Sequence, residues 1–273
     1  MLRPMLLFLT DLSNGNEEED IIISNYLHQY FQLVICHPAD CEGVEDRVDE
    51  IIIRNTWNEK DYGRPPLGYE NRFQIKGLNI HDDLYKRFGE DKDYLLDLYR
   101  KGYPVIPTVD TIADLYQLPE ANEYFIKPKD GFDAIGARKI NKEDLVKLNP
   151  IRYLIQTFVD FKYEISFYFL DKQLQYTLYA PEKTKRWNLV EYTPSVSDIN
   201  FAEQFIRCNI QSRGIERVDA CRLKNGELLL VELTDHGGVY LSVPLLKNEV
   251  RDRFFSNLKE SLLRRITLNK EEF

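Results

Sequence analysis

Between residues 20 and 31 the apolar side chains fall at Ile22, Ile23, Tyr26, Leu27, Tyr30 and Phe31, the spacing of one helical face. Acidic residues fill positions 17–20, where they suit the positive end of that helix's dipole. The short apolar runs on either side, residues 5–9, 33–36 and 48–53, carry no helical period and read as buried strands. Strand, helix and strand at these intervals predict a small parallel sheet. Residues 59–77, rich in Gly, Pro and Tyr and without a clear period, are expected to form a long loop that folds over a site.

A second region opens near Gly89. Residues 91–100 have helical spacing at Tyr94, Leu95 and Leu98, and Gly102 marks the end. Pro104 and Pro107 then force extended chain. A strand over 124–127 stops at Pro128 and opens into a loop, 129–136, that holds Gly131 and Gly136. Beyond residue 150 the pattern turns to strands at 153–159, 164–170 and 173–179, the last two joined by a tight turn at Asp171-Lys172. A helix near 199–208, two more strands and a C-terminal helix over 248–265 complete the reading. The boundaries are an N-terminal α/β subdomain over 1–88, a central unit over 89–155 and a C-terminal subdomain over 156–273.

Asn225-Gly226, between two alternating runs, is the strongest short-range hairpin signal in the chain. A two-residue type I′ turn sets Lys224 against Glu227. Counting outward then sets Asp219 opposite Glu232 and Arg217 opposite Thr234. Strand side chains alternate, so these four share one face with Cys221, Leu223, Leu228 and Leu230. Directly opposed β-carbons lie ~4.5–5.5 Å apart, and two carboxylates that close repel unless something compensates. A hard divalent cation would do so, since Mg²⁺ takes one or two carboxylates plus phosphate oxygens. Arg217 would do so without a metal, as part of an Arg–carboxylate cluster. Lys127, at a strand end before a glycine-bearing loop, can offer an ammonium and backbone N–H groups to phosphates. An ordinary turn has the same composition.

Composition narrows the setting. The chain is 43% hydrophobic and 30% charged, ordinary for a soluble globular protein of 273 residues. Its net charge of -9 disfavours a nucleic-acid partner held by phosphate contacts. Cys36, Cys41, Cys208 and Cys221 have neither metal-ligand nor disulfide-framework spacing and read as reduced thiols of a cytoplasmic protein. The run 5–9 is far shorter than the ~20 apolar residues of a membrane span and lacks the features of a signal peptide, so no membrane partner is expected.

Taken in order, the motifs resemble those of the ATP-grasp superfamily. Asp91, Lys92 and Leu95 through Gly102, Pro104, Pro107 and Thr108 resemble the opening of that family's nucleotide-binding lid. Lys127-Pro128 with Gly131 and Gly136 is similar to its phosphate loop. Gln156, Phe158 and Val159, then Glu164, look like the hinge that meets adenine and the glutamate that meets ribose. Arg217 and Asp219 with Glu232 resemble its metal and phosphate motif. The resemblance covers residues 51–242, and Arg54-Asn55-Thr56-Trp57-Asn58 is similar to a segment of the branch containing the cycloserine-forming ligase.

The resemblance implies an α+β ATP-grasp fold with an N-terminal, Rossmann-like pre-ATP-grasp subdomain and a central lid. It also implies an ADP-forming ligase that activates a carboxylate as an acyl phosphate and joins it to an amine or similar nucleophile. Lys92 and Lys127 would hold the α and β phosphates of ATP, and Asp219 and Glu232 one or two Mg²⁺. Arg217 would steady the acyl-phosphate oxygens. Arg186 falls where the family often has a phosphate-facing arginine; its other reading is a solvated basic turn beside Lys183 and Lys185. The expected partner is a small-molecule or peptide carboxylate.

Two positions depart from the family pattern. Thr234 stands where the last metal ligand is usually Asn or Glu, and Asp235 and His236 follow it. Either Asp235 substitutes as ligand or one of the two metals is weak; the register puts Thr234, not Asp235, on the site face, which counts against the second metal. Tyr163 stands where a glycine usually precedes the ribose glutamate. A kinase of the same fold acting on a hydroxyl, and a non-catalytic nucleotide-binding protein, use the same residues and stay open. A covalent nucleotidyltransferase does not, because Lys127-Pro128-Lys129-Asp130-Gly131 misses its K-x-D-G spacing by one residue. Arg54 and Trp57 either line the substrate side or pack at a strand end.

Overall fold

The computed structural model describes residues 3–11, 17–56, 69–81, 92–129, 134–147, 152–209, 211–235 and 239–271. Strands β1 (Met5–Leu9), β2 (Gln32–Cys36) and β3 (Glu50–Ile53) form a parallel sheet in the order β2-β1-β3, with helix α1 (Glu17–Leu27) as the first crossover. The central strand β1 is apolar on both faces because both are covered. Leu6 and Phe8 enter a core with Ile23 and Leu27 of α1, while Leu7 and Leu9 enter another with Ile51, Ile53 and Phe73.

That second core rests on helix α2 (Tyr69–Lys76), where a loop was expected over 59–77. Only Tyr69 and Phe73, one turn apart, carry its apolar face, and Ile75 is 86% exposed, so eight residues show too little period to read. The helix ends at Gly77, whose φ of +63° lets Leu78 N–H reach the Phe73 carbonyl at 3.0 Å. Residues 57–68 lie outside the described residues.

The middle of the chain contributes α3 (Tyr94–Arg100), β4 (Thr108–Val109), β5 (Glu123–Pro128), β6 (Arg138–Asn141), α4 (Lys142–Leu145) and β7 (Tyr153–Thr157). The strands form an antiparallel sheet in the order β4-β7-β5-β6 over a core of Val109, Tyr124, Ile126, Leu145 and Ile155.

The remainder gives β8 (Phe161–Leu170), β9 (Gln173–Ala180), β10 (Val190–Glu191), α5 (Val196–Cys208), β11 (Ile215–Leu223), β12 (Leu228–Asp235) and α6 (Asn248–Glu271). Its strands form an antiparallel sheet in the order β10-β9-β8-β11-β12. Asp171 and Lys172 turn from β8 to β9 with φ of +48° and +66°, the two positive values a type I′ turn requires. Alternation splits β8 between two cores. Phe167 and Phe169 pack with α3 and α5, whereas Tyr168 and Leu170 join the core shared by β1, α1 and α6. No described helix is long and apolar enough to cross a membrane.

The β11–β12 hairpin departs from the two-residue count twice. Its loop has three residues: Leu223 N–H donates to the Glu227 carbonyl at 2.8 Å, with Gly226 at φ +97°. This slips the pairing by one, so that Cys221 faces Leu229 and Ala220 faces Leu230. A bulge at Val231 restores the count, and Asp219 faces Glu232 and Arg217 faces Thr234 after all. The slip moves Leu228 and Leu230 off the carboxylate face. They pack with Val218 and Ala220 against the α3 and α5 side of the sheet.

Candidate active site

A cavity of about 370 Å³ is walled by strands of both antiparallel sheets. Phe125 and Lys127 reach it from β5, Gln156 and Thr157 from β7, Glu164, Ser166 and Tyr168 from β8, Arg217, Asp219 and Cys221 from β11, and Glu232 and Thr234 from β12.

The two facing carboxylates are compensated separately. Asp219 Oδ1 accepts from Ser166 Oγ at 2.6 Å, and Oδ2 meets Arg217 Nε at 3.0 Å and Nη2 at 2.9 Å. Glu232 Oε1 lies 3.1 Å from Lys92 Nζ, and Oε2 lies 3.3 Å from Lys127 Nζ. Burial disfavours the charge on Glu232, but Lys127 and Lys92 together overcome it and hold its carboxyl below the usual range. Burial wins at Lys127, pulling that ammonium below its ordinary value in spite of Glu232. Arg217 is raised despite its burial, chiefly by Asp219.

Backbone geometry sets these side chains. Lys92 sits in the turn before α3, where its N–H donates to the Lys129 carbonyl at 3.1 Å and so ties it to the end of β5. The carbonyl of bulged Val231 accepts from Lys127 Nζ at 3.1 Å. Residues 104–106 run beside β12, with Leu230 N–H on the Pro104 carbonyl at 2.9 Å and Ile106 N–H on the Leu230 carbonyl at 3.2 Å. Tyr94 Oη accepts from Leu233 N–H at 2.7 Å, joining α3 to the same strand.

At the other end, Gln156 is buried and its amide donates to Thr108 Oγ1 at 2.9 Å. The backbone beyond it is tied on both sides, with Thr157 N–H on the Pro107 carbonyl at 3.2 Å and Phe158 N–H on the Glu123 carbonyl at 3.4 Å. Phe158 is 40% exposed, with Lys139 Nζ 4.4 Å from its ring centre, and Val159 lines the cavity beside it. Burial, then Asp219, raises the Glu164 carboxyl, with Arg186 and Lys127 opposing. Arg186 lines the cavity mouth with its guanidinium 4.6 Å from the Trp187 ring. Gly136 takes a φ of +76°, and a Cβ there would meet Pro128 Cγ at 3.0 Å. Gly131 and His236 lie outside the described residues, as does the side chain of Asp235, whose backbone pairs with Glu216, one position beyond Arg217 and Thr234.

Several lining residues had no role assigned from sequence. Ser166 and Tyr168 were accessible by alternation from Glu164. Tyr240 and Ser242 come from a loop that no periodicity could place. Conversely, Arg54 does not line the cavity; it is fully buried and pairs with Glu19 and Asp20, the acidic residues expected to serve the α1 dipole.

No protein-family model and no curated protein matches the chain. Solved structures match in fold. D-cycloserine synthetase DcsG superposes with a TM-score of 0.74 at 18% identity, over 94% of this chain and 99% of that one. D-alanine–D-alanine ligase from Bacillus anthracis, complexed with ATP, gives 0.69 at 13% identity over 99% and 100%. The ATP-grasp ligase PsnB, complexed with a phosphomimetic variant of a minimal precursor, Mg and ADP, gives 0.65 at 12% over 97% and 98%. The chain therefore has the α+β ATP-grasp fold that the motif order implied.

Proposed function

We propose that this protein is an ATP-dependent, ADP-forming ligase. It activates a small-molecule or peptide carboxylate as an acyl phosphate and joins it to an amine or similar nucleophile. The observation that carries the reading is the pair of ammonium groups on Glu232 beside the Arg217–Asp219 pair, at one end of a cavity between two antiparallel sheets.

That arrangement suits a triphosphate. Lys92 and Lys127 are held 3.1 and 3.3 Å from a carboxylate that phosphate oxygens can replace. Once the lysines turn to phosphate, Glu232 and Asp219 are the pair that would hold a divalent cation, and they fit one that arrives with phosphate oxygens. A Mg²⁺ ion held by these two carboxylates would supply charge neutralisation for the phosphoryl group in transfer. Thr234 Oγ1 lies 3.4 Å from Arg217 Nη2, which favours its service to that arginine and a single metal. Arg217, fixed by Asp219 and by the Tyr240 carbonyl, would meet the charge on the phosphoryl group in transfer. The substrate carboxylate attacks the γ phosphorus and ADP leaves; the amine then attacks the acyl carbon and inorganic phosphate leaves. The hinge 157–159 would hold adenine and Glu164 the ribose. Four unpaired cysteines support a cytoplasmic setting.

The test is a substrate panel read by ADP release. A ligase needs both a carboxylate and an amine; ADP release with a hydroxyl compound alone would replace this reading with a kinase. ATP bound with no turnover across the panel would make the protein a nucleotide-binding module instead.

A further inference from the structure

After β12 the backbone of residues 239–243 runs as a strap along the site, held from both sides in alternation. Val239, Leu241 and Val243 are fully buried, whereas Tyr240 and Ser242 line the cavity. On the buried side Arg54, at the end of β3, donates from Nη1 to the Val239 carbonyl at 2.8 Å. Its guanidinium also pairs with Glu19 of α1, and Glu19 accepts from Leu241 N–H at 2.9 Å and Val243 N–H at 3.4 Å. Tyr176 donates its hydroxyl hydrogen to the Leu241 carbonyl at 2.7 Å. On the cavity side, Arg217 Nη1 donates to the Tyr240 carbonyl at 3.3 Å. Between them Ser242 takes the left-handed conformation, φ +54°, that a serine holds only when its surroundings impose it.

We propose that Arg54 and Glu19 are positioning residues for Arg217, acting through the 239–243 strap on the phosphoryl-transfer end of the site without touching substrate. The proposal rests on the ligase reading above. Of the acceptors on Arg217, Asp219 shares its strand and Thr234 sits on the paired strand, so they move with the sheet. The Tyr240 carbonyl belongs to another segment and sets where Nη1 points. A cation helps a transfer only if its place is set before the charge develops. Arg54 can hold Glu19 and the Val239 carbonyl together because its guanidinium is a fork; a lysine offers a single point. Asp20 supplies the contrast. It lies 3.4 Å from Arg54 and accepts from Thr10, but among the described residues it bonds no atom of the strap.

The test compares the affinity of the full chain for Mg·ADP with its affinity for Mg·ADP plus aluminium fluoride, a mimic of the group in transfer, by calorimetry. In Glu19→Gln and Arg54→Lys, ADP affinity is expected to stay within about threefold of wild type, while the tightening from aluminium fluoride falls at least about tenfold. Asp20→Asn is expected to lower the melting temperature as Glu19→Gln does, yet keep the tightening. Equal losses in Asp20→Asn, undiminished tightening in Glu19→Gln, or no tightening in the wild type overturns the proposal. Should the variants fail to fold, hydrogen exchange on the wild type decides. Leu241 and Val243 amides as protected as those of β11 support it; exchange at the rate of an open loop overturns it. A wild type that binds no Mg·ADP sinks the ligase reading instead, and the strap is still judged by its exchange.

Discussion

A divalent cation alone should bind this site poorly, and nucleotide should create the affinity. Without phosphate, both oxygens of Glu232 are engaged, one by Lys92 at 3.1 Å and the other by Lys127 at 3.3 Å. A metal entering alone must displace two ammonium groups from Glu232. Each charge-assisted contact contributes roughly 1.5–3 kcal/mol, so losing both costs about 3–6 kcal/mol. The Glu232 side chain is 31% exposed, which screens the contacts, and the lower end of that range applies. At about 1.4 kcal/mol per decade this is a preference of roughly a hundredfold for metal arriving with phosphate. The assay is titration of Mn²⁺, followed by the electron paramagnetic resonance of the free ion, with and without saturating ADP. Stoichiometric Mn²⁺ binding without nucleotide, within about tenfold of the ternary affinity, would refute the argument. Lys92→Met supplies the internal check: it should tighten nucleotide-free Mn²⁺ binding while weakening ATP, a reversal that general destabilisation does not produce.

Asp219→Asn should abolish ATP turnover and leave the circular dichroism spectrum unchanged; retained turnover would remove Asp219 from the metal site. Gly136→Ala should destabilise the protein by about 1–2 kcal/mol, because the left-handed backbone there is strained for any side chain. A melting temperature equal to wild type would contradict the strain. Glu45 is held at about 2 first by hydrogen bonds from Arg72, which with Lys76 and Cys41 outweigh its burial. A folded value below the unfolded one stabilises the protein above pH ~4.5 and loses that contribution as pH falls toward ~2. The stability gap between wild type and Glu45→Gln should therefore shrink across that window in urea denaturation; a constant gap would show that the ion pairs contribute nothing.

What could be read from sequence was whatever a period or a local turn dictates. The β1–α1–β2 unit has enough apolar residues at regular spacing to declare itself, and Asp171-Lys172 names its own turn. Helix α2 has one apolar turn and was invisible. Arg54 shows the harder limit. Its partners are Glu19, 35 residues earlier, and a carbonyl 185 residues later, and no local pattern encodes either distance. An acidic helix start reads as a dipole partner whether its carboxylates meet solvent or a buried guanidinium, since the one-dimensional signal is the same.

The hairpin shows why a correct pairing can rest on incomplete reasoning. Counting from a two-residue turn paired Asp219 with Glu232, but the true path runs through a three-residue loop and a bulge whose offsets cancel. The bulge has chemical consequences. It turns the Val231 carbonyl to Lys127 and returns Glu232 to the face of Asp219, while the slipped register before it keeps Leu228 and Leu230 in the core. A regular ladder from the three-residue loop would leave Leu228 and Leu230 in that core but turn Glu232 into it as well, where neither lysine could reach it. The irregularity thus reconciles an apolar strand with a charged site on one β-ribbon, which is the use to which bulges near active sites are commonly put.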